Sequence, residues 1–189
     1  MREVSLTNKL VERNTYDKDI IEELITPSFI KNIIESTYPY TEGSDWTVYT
    51  SENFLFERAS LTRQNTAKNC NIRGFNKSHI IDHVLPLVIK MCNNDNIIPS
   101  GWFYYPPTGY MGWHTNSNIP STRLYVTYSS EENKSFFRYF NNETKEIITD
   151  YDDKGITIRK FKIPSDPPDF WHCVGSNCDR VSFGFRIYE

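Results

Sequence analysis

The hydrophobic period of this chain changes near residue 100, and that change constrains the fold more than any other feature. Before it, apolar residues recur at helical spacing. DKDIIEELI (17–25) places Ile20, Ile21, Leu24 and Ile25 together, which predicts a helix. Pro27 suits a first helical turn, and SFIKNIIEST carries a second helix to about Thr37. Over 77–92, Ile80, Ile81, Val84, Leu85, Val88 and Ile89 form an apolar stripe behind a candidate N-cap at Ser78. Pro86 is expected to kink or divide this third helix. After residue 100 the period is two. Strands are predicted at 102–107, 112–116, 123–129, 135–140, 146–151, 156–161, 171–174 and 180–188, separated by turn-rich pieces such as NNETK, DDKG and GSNCD.

This pattern predicts a mainly β fold with N-terminal helices. Short aromatic strands after a helical preface suit a sandwich, jelly roll or barrel, with the helices covering one outer face. At 189 residues, 15% of them aromatic, the chain is expected to form one domain over 1–189. Residues 1–99 supply the helical part and a loop, and residues 100–189 the β core. A formal net charge of -3 argues against wholesale attraction to a phosphate backbone. The apolar runs are too short for a membrane span. The N-terminal stretch has no apolar core of a secretory signal, and Cys70, Cys92, Cys173 and Cys178 form no Cys-x-x-Cys pair. Reduced thiols in a cytoplasmic protein are therefore expected.

Four histidines are candidate metal ligands: His79, His83, His114 and His172. The last two fall on predicted strands, in GYMGWHTN and DFWHCVGS. Side chains two apart on a strand share a face, so His114 and Asn116 are expected to point together. In the last strand, Arg180, Ser182, Gly184, Arg186 and Tyr188 share one face, and Val181, Phe183, Phe185 and Ile187 the other. The apolar set would receive the helices. The first set would put two guanidiniums inside the roll, where unpaired charge is costly. No surplus of carboxylates is evident in the neighbouring strands, so a small dianionic ligand is expected to serve them.

The order of aromatic strand, Gly, His-x-Asn, long gap, His, short gap and Arg-x-Ser resembles the iron(II)/2-oxoglutarate-dependent dioxygenase family over roughly 100–188. YPPTGYMGWHTN also resembles oxygenase-like proteins of bacteriophages. The family resemblance implies a double-stranded β-helix, a jelly-roll or cupin-like fold, with helices packed on one face. It implies Fe(II) held by His114 and His172, with Asn116 where the family carries an acidic ligand. It further implies 2-oxoglutarate bound through its far carboxylate at Arg180, whose planar fork matches a carboxylate, and at Ser182. The implied reaction is hydroxylation of a substrate with decarboxylation of 2-oxoglutarate to succinate. An amide brings only a dipole to the metal, so the site is expected to bind iron less tightly than a carboxylate site. Asp169 could replace the carboxylate, but on a regular strand it would face away from His172.

Further readings attach to this one. Tyr104 and Tyr125 are expected to touch the cosubstrate if they face inward. Arg123 and Arg138 are placed at the mouth of the roll as substrate contacts, with Arg186 beside them. Residues 57–77 carry Arg58, Arg63, Lys68, Arg73 and Lys77 against Glu57 alone, which suggests a basic, lid-like loop and an anionic substrate. The substrate could be a small molecule, a nucleotide or a protein. Little aromatic surface interleaves the basic residues, so no single-stranded nucleic-acid site is indicated. His79 and His83 have ligand-capable spacing, yet read better as a helix face. The alternative function is a non-catalytic jelly roll that binds a small carboxylate or a partner.

Overall fold

The computed structural model describes residues 10–39, 50–52, 55, 69–117 and 119–188. In chain order it contains β1 (Val11–Arg13), α1 (Asp19–Glu22), α2 (Pro27–Glu35), β2 (Tyr38–Pro39), β3 (Asn69–Cys70) and β4 (Arg73–Gly74). A π-helical turn, His79–Val84, then runs into α3 (Leu85–Cys92). The β core follows as β5 (Ile97–Tyr105), β6 (Tyr110–His114), β7 (Ser121–Ser129), β8 (Ser135–Asn141), β9 (Glu146–Tyr151), β10 (Gly155–Ile163), β11 (His172–Ser176) and β12 (Arg180–Ile187).

The strands form two antiparallel sheets. The major sheet has seven strands in the order β1-β10-β7-β12-β5-β4-β2, and the minor sheet five in the order β3-β6-β11-β8-β9. From β5 onward the chain crosses between the sheets at every step except the β8–β9 hairpin, as a jelly roll does. All eight predicted strands are present. The preface is less purely helical than its pattern suggests, because β1 to β4 add short strands to both sheets. These two- and three-residue strands are too short to show a period of two.

The helices obey local rules. Thr26 caps α2 by accepting a hydrogen bond from the Phe29 N–H at 3.2 Å, with Pro27 in the first turn. The third helix is divided just before Pro86, with a π-helical turn on one side and α-helix on the other. Ser78 does not cap it; the Asn76 side chain instead accepts from the Ser78 N–H at 3.0 Å. Buried residues Ile21, Ile30, Ile33, Val84 and Val88 cover the outer face of the major sheet, where Leu124, Val126, Val181, Phe183 and Phe185 meet them. Burial of each such side chain contributes about 1.5–3 kcal/mol. The other face of β12 and β7 thus looks into the roll. Among the described residues, no helix is long and apolar enough to cross a membrane.

Candidate functional site: two histidines at a cavity between the sheets

His114 ends β6 and His172 begins β11, and the two are direct cross-strand partners. Their rings lie 4.1 Å apart between centroids. Three steps from Met111 to His114 oppose two steps from Val174 to His172, so β6 holds one extra residue at this point. The bulge lets both Met111 and His114 line the cavity, while Trp113 between them packs outside the minor sheet with Leu55, Phe136 and Cys173.

Both rings are held in the same tautomer. His114 Nδ1 is 2.8 Å from the Gly112 carbonyl oxygen, and His172 Nδ1 is 3.1 Å from that of Phe170. A carbonyl only accepts, so each Nδ1 carries the proton and each Nε2 keeps its lone pair. Burial, then the neighbouring His114, hold the His172 pKa well below its ordinary value, so the ring is neutral. Phe137, Phe161 and Phe170 surround it with centroids 5.4–5.5 Å away.

Asn116 sits beside the pair, with Nδ2 3.2 Å from His172 Nε2. Its φ is 55°, a left-handed conformation that Asn tolerates better than most residues. Metals take an amide by its oxygen, and rotation about χ2 would exchange Nδ2 for Oδ1. Among the described residues no three of His, Cys, Asp and Glu converge as a metal site. Two imidazoles and one amide oxygen nevertheless suit Fe(II) in chemical type, as a neutral donor set without the carboxylate's charge. Asp169 is not among the residues lining the cavity.

The cavity itself encloses about 310 Å³, within the range of small-ligand sites. His114, Asn116, His172, Met111 and Val174 line it from the minor-sheet side and Arg123, Tyr125, Ser182 and Gly184 from the major sheet. Ser100, Gly101, Phe103 and Tyr105 on β5, with Asn69, complete it. Two glycines keep space open. A Cβ on Gly184 would lie 3.2 Å from Tyr125 Cε1, and one on Gly101 3.3 Å from the Phe103 ring. Sequence reading did not single out these two glycines or Phe103 and Tyr105. The register of β5 against β12 would have found them, because Gly101 lies opposite Gly184 and Tyr105 opposite Arg180.

The other expected site residues divide. Arg123, Tyr125 and Ser182 line the cavity with the histidines and Asn116. Tyr104 does not, which corrects its expected contact with a cosubstrate. It lies opposite Val181 and so belongs to the helix-covered face, where its hydroxyl donates to Asp179 Oδ1 at 2.6 Å. Burial, then the bond to Asp179, raise its pKa. Arg138 is likewise not at the mouth of the roll. On β8 it points away from Phe137 and Tyr139, donating to Thr149 Oγ1 at 2.8 Å and the Thr50 carbonyl at 2.7 Å.

Arg180 is buried, and the expectation that no carboxylate serves it is overturned. Its Nε donates to Asp152 Oδ2 at 2.9 Å and its Nη2 to Thr127 Oγ1 at 3.3 Å, while Nη1 is buried without a partner. Asp152 also pairs with Arg159 and accepts from Ser135. Burial alone would raise the Asp152 pKa, but Arg180 and Arg159 hold it far below the carboxylate range. Arg186 lies directly opposite Arg123, half-buried, with a buried Nε that has no partner. Of the basic loop, Arg58, Arg63 and Lys68 lie outside the described residues; Lys77 packs over Trp102 at 5.5 Å. His79 and His83 meet the Phe29 ring edge-on at 6.3 and 6.1 Å.

Comparison of the sequence with protein-family models finds no match, and comparison with curated proteins finds none either. Solved structures do resemble the fold. A prolyl hydroxylase from Trichoplax adhaerens, solved with a peptide fragment of the hypoxia inducible factor oxygen degradation domain, has a TM-score of 0.51 at 14% identity. The likeness covers 97% of this chain and 85% of that one. A Pseudomonas putida prolyl-4-hydroxylase gives 0.51 at 11% identity, covering 95% and 93%. The architecture is therefore a double-stranded β-helix with helices packed on one face.

Proposed function

We propose that the protein is an iron(II)- and 2-oxoglutarate-dependent oxygenase that hydroxylates an anionic substrate. The observation that carries this reading is the pair of buried imidazoles, both with Nδ1 tied to backbone carbonyls, opening on a cavity of about 310 Å³. The fold shared with prolyl hydroxylases supports it.

His114 and His172 would hold the metal through Nε2, with the Asn116 amide oxygen as a third donor. Bound iron would supply the dioxygen chemistry that couples decarboxylation of 2-oxoglutarate to hydroxylation. The backbone carbonyls of Gly112 and Phe170 would fix the two rings in direction, with each Nε2 left for the metal. Phe137, Phe161 and Phe170 exclude water from the His172 side. Tyr125 and Ser182 offer hydroxyls to a carboxylate deeper in the cavity. Arg180 is not among the residues lining the cavity, and its guanidinium is already held by Asp152 and Thr127, so the hydroxyls carry this role.

A second reading, a non-catalytic carboxylate-binding roll, draws on one observation. The Asn116 amide N–H already engages the His172 lone pair that a metal would need. Anaerobic titration with Fe(II) and 2-oxoglutarate, followed by air and assay for succinate, separates the two. The oxygenase reading predicts a weak visible absorption band and oxygen-dependent succinate, both lost in His172→Ala. Carboxylate binding with no band and no succinate would establish the binding protein. Asn116→Asp is expected to tighten metal binding by about tenfold, and unchanged affinity would remove Asn116 from the site.

A further inference from the structure

Arg123 and Arg186 stand directly opposite one another on β7 and β12, both on the face that looks into the roll. Like charges placed so are destabilising in a sheet. Arg123 is only 5% exposed, yet among the described residues it makes no ion pair. Its Nη2 donates to the Ile119 carbonyl at 3.0 Å, in the loop that follows His114-Thr115-Asn116, and its Nε is buried without a partner. The Arg186 Nε is in the same state, and its Nη1 reaches only the Tyr188 hydroxyl at 3.5 Å. Burial, and then Arg186 beside it, lower the Arg123 pKa, although Tyr125 works in the opposite direction. Arg123 therefore lines a cavity that has no carboxylate among its described lining residues, with the Arg186 guanidinium directly behind it on β12.

We infer that Arg123, backed by Arg186, binds a carboxylate group at the end of the cavity beside His172 and Asn116. A carboxylate would satisfy the open Arg123 Nε and remove the like-charge repulsion in one step, as an Arg fork does elsewhere. This clamp stands on the arginine geometry alone and rests on the oxygenase reading only for what the carboxylate belongs to. It is the 2-oxo acid itself or the acidic group of the molecule to be hydroxylated.

The test uses metal-free full-length protein and its Arg123→Gln and Arg123→Lys variants, titrated with 2-oxoglutarate and, at saturating 2-oxoglutarate, with acetate. Binding is followed by calorimetry and by NMR shifts. Weakening of 2-oxoglutarate by about tenfold or more in Arg123→Gln, with partial recovery in Arg123→Lys, assigns the clamp to the cosubstrate. Unchanged 2-oxoglutarate binding, with acetate bound by the wild type and lost in Arg123→Gln, assigns it to the substrate. If the wild type binds neither acid, or Arg123→Gln alters neither, the inference is overturned. Cobalt(II) titration of the same proteins keeps the two readings apart. A wild type that binds carboxylate but not cobalt retains the clamp and loses the oxygenase, and the converse loses the clamp alone.

Discussion

Two pairs of arginines occupy the interior face of the major sheet, and they are treated in opposite ways. At one end, Arg159 and Arg180 share Asp152, and Arg159 also meets Asp150. Arg13 extends this network to Asp150 and Asp153, so three guanidiniums face three carboxylates. At the other end, Arg123 and Arg186 face each other, and among the described residues no carboxylate pairs with either. The first pair belongs to the fold, because its charge is balanced within the chain. The second has no such balance among the described residues, which is what a carboxylate entering the cavity would supply.

The largest effect that could break this contrast is Asp152→Asn. It would leave two buried guanidiniums without their shared anion and should cost about 3–5 kcal/mol in urea unfolding. Arg123→Gln should cost under about 1 kcal/mol in ligand-free protein, because it relieves a like-charge contact. Equal losses from the two variants would show that both pairs are structural. Acid titration sharpens the same point. The Asp152 pKa is depressed by folding, so the unfolded chain binds more protons below the ordinary carboxylate pKa of about 4. The stability from Asp152 is thus fully present above that pH and is lost as pH falls below it. Acid unfolding measured by circular dichroism should be steep in the wild type and shallower in Asp152→Asn. The smallest effect is expected from Gly101→Ala. Its new methyl meets only the Phe103 ring, so stability should change by less than about 1 kcal/mol while 2-oxoglutarate binding weakens. Binding unaffected by this methyl would place the ligand away from β5.

Much of this was legible in the chain, and the limits have physical causes. Strand periodicity is local, so the eight core strands and the two faces of β12 can be read directly. His114, Asn116 and His172 carry their positions in a recognisable order. Which arginine is satisfied is not local. Asp152 follows β9 in sequence but reaches β12 through the roll, so the pairing with Arg180 depends on how the two sheets face each other. Tyr104 failed for a simpler reason: adjacent tyrosines on a strand point oppositely, and only the pairing of β5 with β12 shows that Tyr105 is the inward one. Arg138 needed the same knowledge for β8.

The extra residue in β6 has a consequence of its own. His114 shares a wall with Met111 rather than with Trp113 because the strand is one residue longer than its neighbour at that point. The meeting of the two imidazoles is therefore written in spacing as much as in side-chain identity. A regular pleat through the same residues, without the bulge, would leave every candidate ligand chemically intact and yet turn His114 outward. Deleting one residue between Met111 and His114 would instead remove the bulge and keep the two on one face.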